Sequence, residues 1–249
     1  MRKIMTVLEA LALAGSMAAV ASGAELEEIH QKFQAAQVNE LDFSVISCES
    51  EIGTSKNDSV SVDVLGSDKE TYLWEVGLRG SKLRIEQRNR HTFSKGSNRE
   101  CRVTVKLPNG LPVKAGSVSG GLKLSGAFRS VDAHSTSGDI KLDLSSGEAA
   151  VSTVSGAAKL RGLGGGLDFQ SVSGGLDAQW SKAPSRAEVR IKSVSGDSVL
   201  RLPAGMTLNA SLKSVSGELH NDLPTDPSAG FVVRANTVSG GLALLKAER

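Results

Sequence analysis

A four-residue pattern, Ser/Thr-Val/Thr-Ser-Gly, recurs seven times between residues 117 and 240 and constrains the fold more than any other feature. The first three steps between its glycines are 18 residues each, and the later steps are 22, 21 and 23 residues. A regular period of this length is the signature of a solenoid, in which each repeat packs only on its neighbours. The Ser-Gly pairs that end the tetrads are Ser119-Gly120, Ser137-Gly138, Ser155-Gly156, Ser173-Gly174, Ser195-Gly196, Ser216-Gly217 and Ser239-Gly240.

The residues around each tetrad predict two short strands per repeat. Val131 and Ala133 stand seven and five positions before the second tetrad glycine, and apolar residues hold these two positions in all seven copies. Ile140 and Leu142 continue the alternation after the glycine. A period of two is typical of half-buried strands, which must stack to bury their apolar faces. We therefore predict an all-β parallel β-solenoid of about seven 18–23-residue repeats over residues 111–245.

The tetrad hydroxyls are predicted to be structural. The first and third residues of each tetrad share the parity of the core positions, so we expect them to point inward. Buried hydroxyls need partners, which a neighbouring rung or the backbone of the corner could supply. A role as nucleophiles or glycan contacts is the alternative, but no His and Asp recur beside them.

The part of the chain before the repeats is less regular. Residues 41–110 contain alternating segments such as KLRIEQR and VTVKLP, which predict the first rungs or a cap. Within residues 25–40 we predict a short helix or linker, because Leu26, Ile29, Phe33 and Ala36 would share one helical face and could cover the open end. A charged tail at 246–249 could blunt the last edge.

The first residues have the pattern of an export signal. A basic start at Arg2 and Lys3 precedes an apolar run, and small residues follow, which predicts a signal peptide at 1–24. Cleavage after Ala21 or Ala24, or retention of the segment as an anchor, are left open because Glu9 interrupts the apolar run. We therefore expect an exported protein, either periplasmic or on the cell surface.

Two cysteines, Cys48 and Cys101, both follow the predicted signal. In an oxidising compartment they are candidates for a disulfide that closes a loop of about 50 residues. Two buried free thiols are the alternative. A zinc site is not expected, because neither cysteine belongs to a CxxC motif or has a histidine nearby.

With these features in place, the chain resembles the bacterial "putative adhesin" family of β-strand-repeat domains of unknown function. The resemblance covers residues 41–245 and is carried by KLRIEQ at 82–87, VTVKLP at 103–108 and STSGDIKLDL at 135–144. It implies a parallel β-solenoid in the bacterial cell envelope and offers no catalytic residues. Four positions directly after a tetrad carry a small residue instead of the family's acid, which puts an acidic turn function in doubt: Gly121, Ala157, Gly175 and Gly241.

Motifs of enzyme chemistry are missing from the sequence. The four histidines are scattered, and HExxH, GxSxG, Walker and GxGxxG patterns do not occur. A net charge of +2 gives no global signature of nucleic-acid binding. We therefore predict a non-catalytic envelope protein with an adhesin-like interaction or scaffold surface, without cofactor, metal or nucleic-acid partner.

Two groups of charged residues are candidate sites once repeats are stacked. Lys123, Lys141 and Lys159 are 18 residues apart, which predicts a basic column on the solvent face. Such a column could bind an anionic glycan or lipid of the envelope, or be a solvated face that opposes aggregation. Asp197 and Glu218 follow successive tetrads and would lie about 5 Å apart if stacked, as in a retaining glycosidase. A polysaccharide-active enzyme is therefore one alternative function, although no aromatic residues flank the pair, and a structural part of an envelope complex is the other.

Overall fold

The computed structural model describes residues 26–90 and 101–247. The predicted signal peptide at 1–24 and the last two residues of the predicted tail lie outside these ranges. Within them the only helical element is a 3-10 turn at Ala35–Gln37, and no helix there is long and apolar enough to cross a membrane. The strands are β1 (Leu26–Gln34), β2 (Glu40–Val45), β3 (Glu49–Ser55), β4 (Ser59–Asp68), β5 (Tyr72–Arg79), β6 (Lys82–Asn89), β7 (Arg102–Pro108), β8 (Pro112–Ser117), β9 (Leu122–Ser135), β10 (Ile140–Thr153), β11 (Ala158–Leu163), β12 (Leu167–Ser171), β13 (Leu176–Trp180), β14 (Ala187–Ser193), β15 (Ser198–Leu202), β16 (Asn209–Ser214), β17 (Leu219–Asn221), β18 (Phe231–Thr237) and β19 (Leu242–Lys246).

Two walls of parallel strands enclose one core. The first wall has the order β6-β2-β8-β9-β10-β12-β14-β18-β16, and the second wall has the order β7-β3-β9-β10-β11-β13-β15-β19-β17. Strands β9 and β10 belong to both walls, because the first half of each lies in the second wall and the second half in the first. One strand from each wall forms a rung, and the described residues build nine rungs. The predicted all-β parallel β-solenoid is confirmed.

The alternation in the sequence fills the core in register. Ala133 in the first wall and Ile140 and Leu142 in the second wall are buried, while their sequence neighbours face solvent. Leu142 lies between Leu124 and Leu160 of the adjacent rungs. Each fully buried aliphatic side chain contributes about 1.5–3 kcal/mol. Stacking therefore stabilises strands that could not be stable alone.

The rungs do not follow sequence order at either end of the stack. Near the N terminus, the β2–β3 rung lies between the β6–β7 rung and the rung of β8 and β9. At the other end, the β18–β19 rung lies between the β14–β15 rung and the β16–β17 rung. Phe231 and Leu244 of this inserted rung are buried, whereas Leu219 and Asn221 of the outer rung are exposed. The more apolar repeat thus occupies the interior and the more polar repeat the edge.

The insertion also changes which residues end the sheet. Strand β19 pairs with β15 on one side and β17 on the other, so Lys246 belongs to an interior strand. The prediction that the tail at 246–249 blunts the last edge is therefore wrong for Lys246. In the described residues, β16 and β17 form that edge.

The N-terminal region closes the other end with antiparallel strands. Strand β1 pairs with β4, β4 pairs with β7, and β5 pairs with β6. The helix predicted within residues 25–40 is wrong, because residues 26–34 are strand β1. Ile29 and Phe33 are four residues apart, a spacing that places two side chains on one face in a helix and also in a strand. Leu26 is an odd number of residues from both, so the alternation of the strand places it on the opposite face, and it is exposed.

The tetrad glycines are required by close packing between rungs. A Cβ atom placed on Gly138, Gly156 or Gly174 would lie 2.1 Å from the carbonyl oxygen of the tetrad glycine one rung before it. Of the seven tetrad glycines, Gly196 alone has a positive φ, at 110°. The glycines therefore form a ladder in which any side chain would push two rungs apart. Only at Gly196 does the backbone conformation itself favour glycine.

Candidate functional site

The corner hydroxyls behave in two different ways. The first residue of the tetrad is buried in six of the seven copies, Ser214 being half-buried. It hydrogen-bonds within its own corner in every copy except the second, where Ser135 Oγ has no partner. Ser171 Oγ donates to Gly174 O at 2.8 Å, and Thr237 Oγ1 donates to Gly240 O at 2.7 Å. The third residue was predicted to point inward, which is wrong, because the chain turns within the tetrad and breaks the strand parity. The exposed third-position residues are Ser119, Ser137, Ser155, Ser173, Ser195, Ser216 and Ser239.

The two cysteines extend the glycine ladder. Cys48 and Cys101 form a disulfide with their Cα atoms 4.7 Å apart. Glu49 pairs with Arg102, so the cysteines that precede them occupy matching corner positions on adjacent rungs. The carbonyl oxygen of Cys48 lies 2.0 Å from where a Cβ of Gly120 would be, which places Cys48 in the line of tetrad glycines. The bond therefore joins two neighbouring rungs at one corner.

The three predicted lysines lie side by side on the second wall. Lys141 is in register with Lys123 on one side and with Lys159 on the other. All three side chains are exposed. With rungs about 4.8 Å apart, the basic column spans about 10 Å.

An acid stands at each end of this basic column. Glu51 is in register with Lys123, and its Oε1 accepts a hydrogen bond from Lys123 Nζ at 3.2 Å. Asp177 is in register with Lys159 at the other end. The sequence did not predict either partner. Lys141 is therefore the lysine with a cation on both sides.

Asp177 is held ionised by its surroundings. Its carboxylate binds Arg161 Nη2 at 2.6 Å and also pairs with Arg201. Partial burial acts to raise the pKa of Asp177, but the hydrogen bond from Arg161 and the charges of Arg161, Arg201 and Lys159 outweigh it. The pKa therefore lies below its usual value.

Acids directly after a corner cap the next rung, both after a tetrad, as at Asp139, and after Cys48, as at Glu49. Asp139 Oδ1 accepts the backbone N–H of Ala157 at 3.0 Å, and Glu49 Oε1 accepts that of Gly121 at 3.1 Å. A Cβ on Gly121 would lie 2.5 Å from Glu49 Oε2. At Gly121 the carboxylate of the capping acid thus occupies the space of a Cβ atom, and a larger residue there would require the Glu49 side chain to move.

Asp197 and Glu218 are not neighbours. Gly241 of the inserted rung lies between them: its N–H binds Asp197 Oδ1 at 2.9 Å, and Leu242 N binds Glu218 O at 2.8 Å. The expected stacking of these two residues on successive rungs is wrong. Two rung spacings, about 10 Å, separate their backbones instead of one. Asp197 is a backbone cap like Asp139.

A line of exposed valines runs along the same corner and was missed in the sequence. Val118, Val154, Val172, Val194 and Val238 are between 45% and 50% exposed, and Val215 on the outer rung is 81% exposed. They occupy the second position of the tetrad, where only the second copy has a different residue, Thr136. The sequence does contain a signal for these residues, because valine recurs at the second position of the tetrad, and that position points outward at the corner. We call these residues the valine stripe.

A groove of about 540 Å³ borders the valine stripe on the side of the first wall. Its floor crosses five rungs, because His134, Ser152, Gln170, Lys192 and Asn236 are in register on successive strands. Val154, Val172 and Val194 form its rim. In the described residues no three or more His, Cys, Asp or Glu come together as a metal site.

The family model Toastrack DUF4097 matches residues 112–242, more than half of the chain. The chain belongs to the Toastrack DUF4097 family. The matched range begins at β8 and ends at the first residue of β19, so it contains all seven tetrads and, of the inserted rung, strand β18. The predicted membership of a family of adhesin-like β-repeat domains is confirmed.

Solved structures of similar fold cover nearly all of this Toastrack chain. A putative adhesin from Parabacteroides merdae aligns over 89% of this chain and 97% of its own, with 10% identity and a TM-score of 0.47. One from Bacteroides fragilis aligns over 88% and 97%, with 11% identity and a TM-score of 0.46. One from Parabacteroides distasonis aligns over 88% and 97%, with 14% identity and a TM-score of 0.45. No curated protein matches the sequence.

Proposed function

We propose that this Toastrack DUF4097 protein is an exported, non-catalytic interaction module of the bacterial cell envelope that binds an anionic polymer. The observation that carries the proposal is the column of Lys123, Lys141 and Lys159, in register on three adjacent rungs. Parallel stacking spaces the backbones that carry these charges about 4.8 Å apart. A polymer with closely spaced carboxylates or phosphates is the ligand that such a spacing fits.

The wall around the lysines supports binding of one polymer segment. Glu51 and Asp177 close the column, so the basic surface is short and ends at defined positions. Both the column and the acids are on strands, so their backbones need no further ordering when a ligand binds. The ligand would therefore lie across the second wall, with its central charge at Lys141.

The non-catalytic part of the proposal is supported by the separation of Asp197 from Glu218. A retaining glycosidase needs two carboxyl groups about 5 Å apart. Gly241 intervenes here, and Asp197 is engaged with its backbone N–H. The remaining alternative, a structural part of an envelope complex, predicts no affinity for a soluble polymer.

The test is the triple variant Lys123→Gln, Lys141→Gln, Lys159→Gln, with alginate as the anionic polymer and dextran as the neutral one. Each exposed contact contributes at most about 1 kcal/mol, so one substitution is too small to measure reliably. We expect the affinity for alginate to fall several-fold and its salt dependence to flatten. Thermal stability should stay the same or rise slightly, because like charges are removed from adjacent rungs.

A matched control removes the same charge elsewhere. Lys114, Lys182 and Lys213 are exposed and lie outside the column, so their change to Gln should leave alginate binding near the wild-type value. Asp197→Asn with Glu218→Gln should alter neither binding nor hydrolysis. Equal losses in both lysine variants would mean that net charge and not the column determines binding. Cleavage of a polysaccharide that the carboxylate variant abolishes would overturn the non-enzymatic proposal.

A further inference from the structure

The groove beside the valine stripe has the composition of a site for an apolar chain. Val154, Val172 and Val194 line its rim, and hydroxyl and amide side chains line its floor. Among the lining residues there is no carboxylate. The ionisable ones are His134 and Lys192, and Lys192 has no ion-pair partner among the described residues.

The length of the groove is set by the stacking. Five rungs, from that of His134 to that of Asn236, give four spacings, or about 19 Å. The three lining valines repeat at this interval over the middle three rungs, about 10 Å, and Thr136 takes the same tetrad position on the first rung. Such a row offers continuous apolar contact to a straight chain, whereas a compact ligand would touch only one or two valines.

The backbone at the groove argues against an extended peptide. The strands under the floor use their N–H and C=O groups in the parallel ladder on both sides, as β12 does with β10 and β14. A peptide strand laid on the valines would find no main-chain partner there and would lose hydrogen bonds to water. An alkyl chain has no polar groups to desolvate.

We propose that this groove binds a single-chain anionic amphiphile, whose alkyl chain lies along Val154, Val172 and Val194 and whose acidic headgroup pairs with Lys192. The site is distinct from the lysine column, because it lies on the other side of the corner. Amphiphile binding in the groove can therefore be tested independently of polymer binding at the lysine column. The alkyl chain supplies contact area, and Lys192 near one end of the groove fixes the direction of the chain.

The test uses dodecanoate below its micelle concentration, with isothermal titration calorimetry as the readout. The groove variant is Val154→Thr, Val172→Thr, Val194→Thr. Threonine keeps the shape of valine and already occupies this tetrad position at Thr136. We expect affinity to fall about tenfold, which corresponds to ~1.4 kcal/mol. The control variant, Val118→Thr with Val215→Thr, changes the same tetrad position outside the groove lining and should bind like wild type.

Two further arms separate chain from headgroup. Lys192→Gln should weaken dodecanoate several-fold but leave an uncharged dodecyl glycoside unaffected. Hexanoate should bind too weakly to detect, because its chain contacts too few valines. The proposal is overturned if wild type binds dodecanoate only as micelles, if the groove variant binds as wild type does, or if the control variant loses as much. Circular dichroism and melting curves should first show that every variant keeps the fold.

Discussion

The glycine ladder makes a sharp prediction for the substitution Gly156→Ala. The φ of Gly156 lies outside the left-handed region, so alanine has no backbone penalty there. The new methyl carbon would instead lie 2.1 Å from Gly138 O and 2.7 Å from the Gly138 carbonyl carbon. Real Cβ contacts are almost never below 3.0 Å, so the two rungs must move apart by about 0.9 Å.

That movement would break the hydrogen bonds that join the two corners. Ser155 N lies 3.0 Å from Thr136 O, and Ile140 N lies 2.9 Å from Ala157 O. Both distances would approach 4 Å, which is beyond hydrogen-bond range. Each backbone bond contributes about 1 kcal/mol net, and an unsatisfied buried group costs about 1–3 kcal/mol. We therefore expect Gly156→Ala to lower the free energy of unfolding by about 3 kcal/mol.

Urea unfolding followed by circular dichroism measures this effect, and the chain supplies a matched control. Gly77 also lies in a strand with ordinary φ, but no atom is within 4 Å of its ideal Cβ. Gly77→Ala should be neutral or stabilising by about 0.5 kcal/mol. If Gly156→Ala unfolds within 1 kcal/mol of wild type, the close approach of rungs is not the reason for the tetrad glycine.

Two further effects can be measured with the same unfolding assay. Cys48 and Cys101 are 53 residues apart, and reduction of their bond should lower the free energy of unfolding by about 4 kcal/mol on the chain-entropy model. A double Cys→Ala variant should be as stable as the reduced protein. Equal stability of the oxidised and reduced protein would contradict this. Glu86 pairs with Arg88 and Arg84, which lower its pKa from 4.5 to about 2. Because this pKa is lower in the folded state, the ionised Glu86 stabilises the fold above about pH 4.5, and this contribution is lost as the pH falls toward 2. The melting temperature of Glu86→Gln should therefore depend less on pH between 4.5 and 2 than that of wild type. An equal dependence on pH in both proteins would count against the pairing.

The repeats made the strands and the lysine register predictable. Apolar residues alternate with polar ones on each side of the tetrad, and this pattern determines which face of each strand points to the core. The 18-residue step between repeats places Lys141 beside Lys123 and Lys159. Glu51 was missed because its rung carries no tetrad. There, Ile46, Ser47 and Cys48 take the places of Val, Ser and Gly.

The order of the last rungs could not be predicted from the pattern. Val233 pairs with both Val189 and Ala210, and these same positions would also fit each other if the repeats stacked in sequence order. The choice between the two orders is made by burial, which favours Phe231 inside and Asn221 outside. The prediction for Asp197 and Glu218 failed for this reason. It assumed that repeats adjacent in sequence are adjacent in space.

The inserted rung has a consequence for the order in which the chain can assemble. Between β8 and β14 each new repeat pairs with the one 18 to 22 residues behind it, so growth of this part of the stack can follow synthesis step by step. The pairing of Val189 with Val233 spans 44 residues instead, and in the final fold the repeat made in between does not occupy the position next to β14. Pairings of larger sequence separation form more slowly. Completion of this end therefore depends on residues 231–246. Until they are available, the repeat at 209–221 can pair with the exposed edge of β14. Strand β18 must then displace that repeat from β14 to reach the final fold.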